Sequence, residues 1–150
     1  MSDIVYGFKT IYPIPLGLGA TWNPESIAKD YRETAAEAQA SGNQVAFAPM
    51  VDLVRDARWG RVLESTGEDP YLNAQFASAM VRGFQYGFDS DHGIAACVKH
   101  FAAYGAVEGG KEYNAVDMSA RELRQDYLPS YKAAVDAGAK MVMTAFNTLN

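Results

Sequence analysis

The pair Lys99-His100 stands near the carboxyl end of an otherwise apolar run, Ala95 to Phe101. A lysine buried without a partner is expensive, so a polar cavity or a carboxylate must lie close to it. Regular strand geometry sends neighbouring side chains to opposite faces, so both can serve one site only where the backbone is irregular. The alternative is a satisfied core histidine beside a lysine that reaches solvent. His92 and His100 are the two histidines of the sequence, and no ligand spacing surrounds them, so no metal site is expected. Lys99 could also serve as a Schiff-base amine of the aldolase kind, but that chemistry gives the charged loop described next no role.

That loop reads Arg55-Asp56-Ala57-Arg58-Trp59-Gly60-Arg61, followed by Glu64 and Gly67-Glu68-Asp69-Pro70. Three arginines can grip carboxylates in bidentate fashion or donate to sugar hydroxyls, and Trp59 could offer its face to a pyranose ring. The competing reading is a loop held together by internal arginine–carboxylate pairs, with Asp69 capping a helix. The two combine if one arginine reaches a pocket and the rest pair internally, and spacing does not choose which. Tyr104, Glu108, Lys111, Glu112 and Tyr113 make a second loop polar and aromatic, as suits a pocket rim or a solvated loop. Asp3, by itself, reads as an acid at a frayed terminus. Asn147 of Phe146-Asn147 either hydrogen-bonds a ligand or caps a turn, and Met141-Val142-Met143 reads as core.

Elements that alternate in type must position these groups. One helix is expected after Asn23-Pro24, with Ile27, Tyr31, Ala35 and Ala38 on its inner face and Gly42 as its stop. A second begins at Asp69-Pro70 and turns Leu72, Phe76, Met80 and Phe84 inward. A third opens at Ser119 with Glu122 at capping-box spacing and a Met118–Leu123 staple. It faces Leu123, Tyr127, Tyr131 and Val135 inward, with a kink or short break expected at Pro129. The runs Ile14 to Ala20, Val45 to Ala48, Ala95 to Phe101 and Met141 to Phe146 read as buried parallel strands. The order is α/β, and the two long loops, Pro49 to about Asp69 and Ala102 to Met118, fall at strand carboxyl ends, where such folds keep their sites. Four strands and three helices make about half of an eightfold barrel, which needs about 250 residues. An open doubly wound sheet fits less well, because Gly17-Leu18-Gly19 is too short for a phosphate-binding turn. The whole chain, 1–150, is thus expected to be a single partial domain.

Composition bounds the partners. Hydrophobic residues make up 49% of the chain, and 13 Lys+Arg against 18 Asp+Glu give a net charge of −5. This acidity without a basic run argues against nucleic acid or an anionic membrane. Cys97 has no second cysteine to pair with, and no apolar stretch approaches the roughly 20 residues of a membrane span. Met1-Ser2-Asp3-Ile4 shows neither a basic region nor an apolar core, so no signal peptide is visible.

Together these residues resemble glycoside hydrolase family 3, the β-glucosidase and β-xylosidase family, and within it the bacterial periplasmic β-glucosidases. The likeness spans essentially the whole chain. It is carried by Asp3 to Thr10 with Pro13 to Leu18, Ala48 to Asp52 continuing to Arg61, and Gly67 to Pro70. It continues through Val98 to Gly105, Gly109 to Asn114 and Asn147 to Asn150. The resemblance implies a partial (β/α)8 TIM barrel, about the first half of the family's N-terminal domain. It implies that Asp3, Arg61, Lys99 and His100 bind the sugar in the −1 subsite, with Lys9 a weaker match to an arginine of some relatives. It also implies non-proline cis peptides around the Lys-His pair. The family's reaction is retaining hydrolysis with two carboxylates about 5–5.5 Å apart, and it needs no cofactor. Neither the nucleophile nor the acid/base is matched by Asp52, Asp56, Glu64, Glu68, Asp69 or Glu108, so both are expected beyond Asn150. Phe146 departs from the tyrosine that many relatives carry. The implied substrate is a terminal non-reducing β-D-glucosyl or xylosyl residue of a glucoside or oligosaccharide, and the rest of the parent enzyme would complete the barrel. Relatives suggest a periplasmic or secreted location. The alternative is a non-catalytic remnant that binds carbohydrate or a partner chain.

Overall fold

The structure is a computed structural model that describes residues 1–90 and 92–150. Helix α1 spans Pro15–Gly19 and α2 spans Pro24–Ala40, followed by strand β1, Val45–Ala46. Helix α3 covers Pro70–Phe84 and strand β2 Ala95–Phe101. After the second long loop come α4 (Ala120–Glu122), a π-helical turn (Leu123–Tyr127), α5 (Leu128–Asp136) and β3 (Met141–Thr144). The strands pair in parallel in the order β1-β2-β3. Ahead of them, Ser2 bridges Ala46 in parallel, with its N–H on the carbonyl of Val45 at 3.2 Å. Parallel segments laid side by side in chain order, with helices between them, are the construction of a (β/α)8 barrel. A doubly wound sheet instead reverses strand order at a switch point. The fold is α/β, part of a TIM barrel.

Helix starts follow the capping chemistry written in the sequence. Asn23 Oδ1 accepts from the Ser26 N–H at 3.1 Å, Asp69 Oδ1 from the Leu72 N–H at 2.6 Å, and Ser119 Oγ from the Glu122 N–H at 3.1 Å. Pro129, which has no N–H to give, follows the π turn, and the expected break takes the form of that widened turn.

Three helices cover the outer face of the sheet. Ile27, Tyr31 and Ala35 of α2, Phe76, Met80 and Phe84 of α3, Ala96 and Val98 of β2, and Tyr131 and Ala134 of α5 form one core. Each of the buried large apolar side chains contributes about 1.5–3 kcal/mol. Tyr31 meets Phe84 edge-on, with ring centroids 4.8 Å apart. Gly83 lets α3 lie against α2, since a Cβ there would sit 2.7 Å from the carbonyl oxygen of Ala28. A second core, with Met50, Leu53, Trp59, Tyr104, Val107, Val116 and Tyr127, lies under the two long loops and orders them.

Several expectations are corrected. Ile14 to Ala20 is not a strand: Pro15 opens α1, and a short apolar run has no periodicity to tell strand from helix. The first parallel segment lies instead at Ser2, and Ile4 beside it is buried. Strand β1 has two residues as a regular ladder, and its pairing continues irregularly beyond them. The Cys97 and Lys99 N–H groups donate to the Ala48 and Pro49 carbonyls at 2.9 and 3.1 Å, and the Met50–Lys99 bridge follows. Val135 faces outward at 54% exposure, and Ser130 and Ala134 are buried with Tyr131, since the π turn adds a residue and rotates the following face. Strand β3 is apolar but not covered: Met141 and Val142 are exposed.

Candidate functional site

Lys99 and His100 lie at the carboxyl end of β2. The Lys99–His100 and Phe101–Ala102 peptides are cis, and the β2–β3 register shifts between Lys99 and Phe101. Both side chains enter one polar cluster, so regular alternation does not hold here. Lys99 is buried, with Nζ 3.0 Å from Asp3 Oδ1 and 3.8 Å from Glu64 Oε2, which answers the partner its burial demands. Asp3 remains exposed and offers its second oxygen to solvent.

Of the three loop arginines, Arg61 is the one in the cluster. Its Nε and Nη2 donate to the two oxygens of Glu64 at 2.7 and 2.9 Å, and its Nη1 lies 3.1 Å from His100 Nε2. The bidentate bond to Glu64 raises the Arg61 pKa above its ordinary value. The others pair internally, as the competing reading of the loop has it. Arg58 holds Asp56 at 2.6 Å, while Arg55 reaches Asp126 at 3.1 Å and the Tyr127 hydroxyl at 3.0 Å. Asp69 is a helix cap.

His100 Nδ1 lies 2.8 Å from Asp52 Oδ2, and the Tyr131 hydroxyl from α5 lies 2.8 Å from Asp52 Oδ1 and 2.6 Å from the His100 carbonyl oxygen. Burial, and next the neighbouring Asp52 carboxylate, hold the Tyr131 hydroxyl well above its ordinary pKa. The loop that carries Asp52 is itself pinned. Asn73 Nδ2 and Ser130 Oγ donate to the Val51 carbonyl at 2.9 and 3.1 Å, and Ser65 Oγ donates to the Asp52 carbonyl at 2.7 Å.

One wall is aromatic. Tyr104 packs edge-on against His100 at 5.2 Å and Trp59 at 5.4 Å, and its hydroxyl bonds Glu112. Burial first, and then that bond, raise the Tyr104 pKa. Phe146, 60% exposed, leans on His100, Tyr104 and Tyr113 with centroids 5.4–6.1 Å away. In the second loop Tyr104 is buried and Glu112 half-buried, whereas Glu108, Lys111 and Tyr113 are exposed.

Trp59 is buried, so its face is not offered to a sugar; it serves the loop core instead. Lys9 is exposed, and its backbone N–H donates to Glu37 Oε2 at 2.9 Å, on α2 rather than at the cluster. Asn147 Nδ2 lies 3.4 Å from the carbonyl oxygens of Ala102 and Thr148, as a turn cap does. Sequence reasoning missed Asp52, Glu64 and Tyr131 as members. The signal for Asp52 was present: an acid between Val51 and Leu53, just past a strand, must have buried donors. Tyr131 was legible as core, but its hydroxyl partners were not.

No group of three or more His, Cys, Asp or Glu among the described residues is arranged to hold a metal ion. The cluster presents donors from Arg61 and Lys99 and an acceptor from Asp3 at the carboxyl ends of parallel strands. Such a set of donors and acceptors can bond hydroxyl groups, while Asp52 and Glu64 are both engaged within the cluster.

The profile of the Glycosyl hydrolase family 3 N terminal domain matches residues 3–150. This chain belongs to glycosyl hydrolase family 3. It is 49% identical over 149 residues to a periplasmic beta-glucosidase of Salmonella typhimurium, covering 99% of this chain and 20% of that protein. It is 42% identical to a beta-xylosidase of Formosa agariphila, covering 97% of this chain and 21% of that one. The crystal structure of a Listeria innocua beta-glucosidase in complex with glucose superposes with a TM-score of 0.95 at 56% identity, over 98% of this chain and 21% of that chain. The chain spans about one fifth of the length of these relatives.

Proposed function

We propose that this family 3 segment is the sugar-gripping part of a longer retaining exo-β-glycosidase, which removes terminal non-reducing β-D-glucosyl or xylosyl residues. Asp3, Arg61, Lys99 and His100 hold the sugar in the −1 subsite, with Lys9 a more distant candidate. The observation that carries this reading is the convergence of Asp3, Lys99, Glu64, Arg61 and His100 at the strand carboxyl ends. The relatives add support, being beta-glucosidases and a beta-xylosidase, one of them crystallised with glucose. The periplasmic relative favours an exported enzyme.

The chemistry divides accordingly. Charged groups in a dry pocket bond sugar hydroxyls strongly and set the anomeric carbon in place. Bond cleavage through an oxocarbenium-like transition state needs negative charge and a proton donor. Glu64, Asp3, Asp52, Asp56 and Asp69 are tied to Arg61, Lys99, His100, Arg58 and a helix end, in that order. The family resemblance, rather than these contacts, assigns the nucleophile and the acid/base to other residues of the longer enzyme.

The test is turnover of aryl β-glucosides and β-xylosides by the full-length protein that carries this segment. Lys99→Ala should lower kcat/KM by about 10²-fold, the cost of a lost positioning contact. A kcat/KM unchanged by Lys99→Ala would remove Lys99 from the sugar grip. No turnover by the full-length protein would leave carbohydrate binding without catalysis.

A further inference from the structure

The contacts of His100 assign its ring proton. Arg61 has donors at every nitrogen and no acceptor, so the imidazole nitrogen facing it at 3.1 Å, Nε2, accepts. The proton then sits on Nδ1 and is donated to Asp52 Oδ2 at 2.8 Å. The same Oδ2 accepts from the His100 backbone N–H at 3.1 Å, so one carboxylate oxygen fixes the ring and the backbone that carries it. Asp52 Oδ1 faces the Tyr131 hydroxyl, whose single proton is shared with the His100 carbonyl oxygen. Asp52 and His100 are each 1% exposed and Tyr131 5%, so water does not compete for these bonds.

We propose that Asp52, with Tyr131, is a positioning residue of the site: it holds the His100 proton on Nδ1, so that Nε2 is presented as an acceptor to Arg61 and the guanidinium is aimed. Glu64 takes two of the five N–H groups of Arg61 along one edge, and His100 takes a third. Two N–H groups are left for a ligand. Glu64 by itself allows the guanidinium to pivot with the carboxylate, and the bond to Nε2 removes that freedom. The wrong tautomer would set N–H against N–H and push Arg61 aside, and a displacement of about 1 Å costs about 10²-fold in rate. The kinetic part of this proposal rests on the sugar-gripping reading above; the proton assignment does not.

The oxygen shared by Nδ1 and the His100 backbone N–H makes the effect of amide replacement specific. In Asp52→Asn the amide nitrogen cannot sit there without opposing the backbone N–H, so the amide oxygen stays towards His100. The amide nitrogen then donates to the Tyr131 oxygen, whose proton goes wholly to the His100 carbonyl. Asp52→Asn should keep the tautomer and lose only a few-fold in kcat/KM, whereas Asp52→Ala should release the ring and lose about 10²-fold.

The experiment is a long-range 1H–15N spectrum of the full-length protein labelled at histidine, with His100 assigned by the signals lost in His100→Gln. Protonated Nδ1 and unprotonated Nε2 are expected in the wild type and in Asp52→Asn, with Nε2 protonated in part or whole in Asp52→Ala. A protonated Nε2 in the wild type overturns the proposal, even if Asp52→Ala fails to fold. An unchanged tautomer in folded Asp52→Ala overturns it too, as does a flipped tautomer in Asp52→Asn with kcat/KM unaltered. If the wild type turns over no aryl β-glycoside, the functional reading fails while the spectrum still decides the proton assignment.

Discussion

At the scale of single residues, charge in this protein is sorted by burial. Lys99, His100 and Asp52 are buried, and each meets a partner within 3.0 Å. Asp56 and Arg58 form an exposed pair of little energetic weight, yet one with a measurable signature. The bonds from Arg58 bring the Asp56 carboxyl down from 3.8 to about 2. A lowered carboxylate pKa adds stability that is complete above 3.8 and disappears as pH falls through about 2. The Asp56 carboxyl 13C shift should therefore titrate near 2 and return towards 3.8 in Arg58→Ala. A wild-type midpoint already at 3.8 would mean that the pair does not persist in solution. The alternation rule for strands, sound for most of β2, would have separated Lys99 from His100. Only the local backbone brings them together.

At the scale of elements, the site stands where long loops leave the strands, and the second hydrophobic core makes those loops rigid enough to hold it. Gly105 is the closest joint between them. A Cβ there would lie 2.1 Å from the Leu53 carbonyl oxygen and 3.4 Å from the Trp59 ring. Gly105→Ala should force the loops apart at a cost of about 1–3 kcal/mol, seen as a lower unfolding temperature of the full-length protein. An unaltered transition would show that the joint gives way freely. Caps at Asn23, Asp69 and Ser119 were legible because Asn, Asp and Ser ahead of a helical pattern have one dominant local use. Ile14 to Ala20 was misread because a few apolar residues suit strand and helix alike. The inward face after Pro129 was misread because a π turn shifts phase without any residue announcing it.

At the scale of the molecule, one side is unlike the rest. Val98, Phe101, Leu128, Tyr131, Val135 and Val142 line an apolar groove of about 430 Å³ between α5 and the β2–β3 edge. Strand β3 shows exposed Met141 and Val142 beside it. Parallel sheets are stable when both faces are covered, and an apolar open edge invites pairing with another chain. The 150-residue chain produced by itself should therefore self-associate in sedimentation velocity. A monomer with a sharp cooperative thermal transition would count against this. Membership of family 3 fits the same picture, since the chain spans about one fifth of its relatives.

The sequence by itself determined the α/β class, the three capped helices, strand β2 in full, the family, and the two loops that bear the charged residues. These follow from periodicity, capping and residue order, which are local. Tertiary structure alone decided that Arg61 rather than Arg55 or Arg58 enters the cluster, that Trp59 is core, and that Asp52 and Tyr131 stand behind His100. Each of those outcomes depends on contacts between segments 30 to 80 residues apart, such as Arg61 with His100 and Asp52 with Tyr131. Pairing across such distances is settled by packing and by the demand that buried polar groups find partners, and no local pattern encodes it.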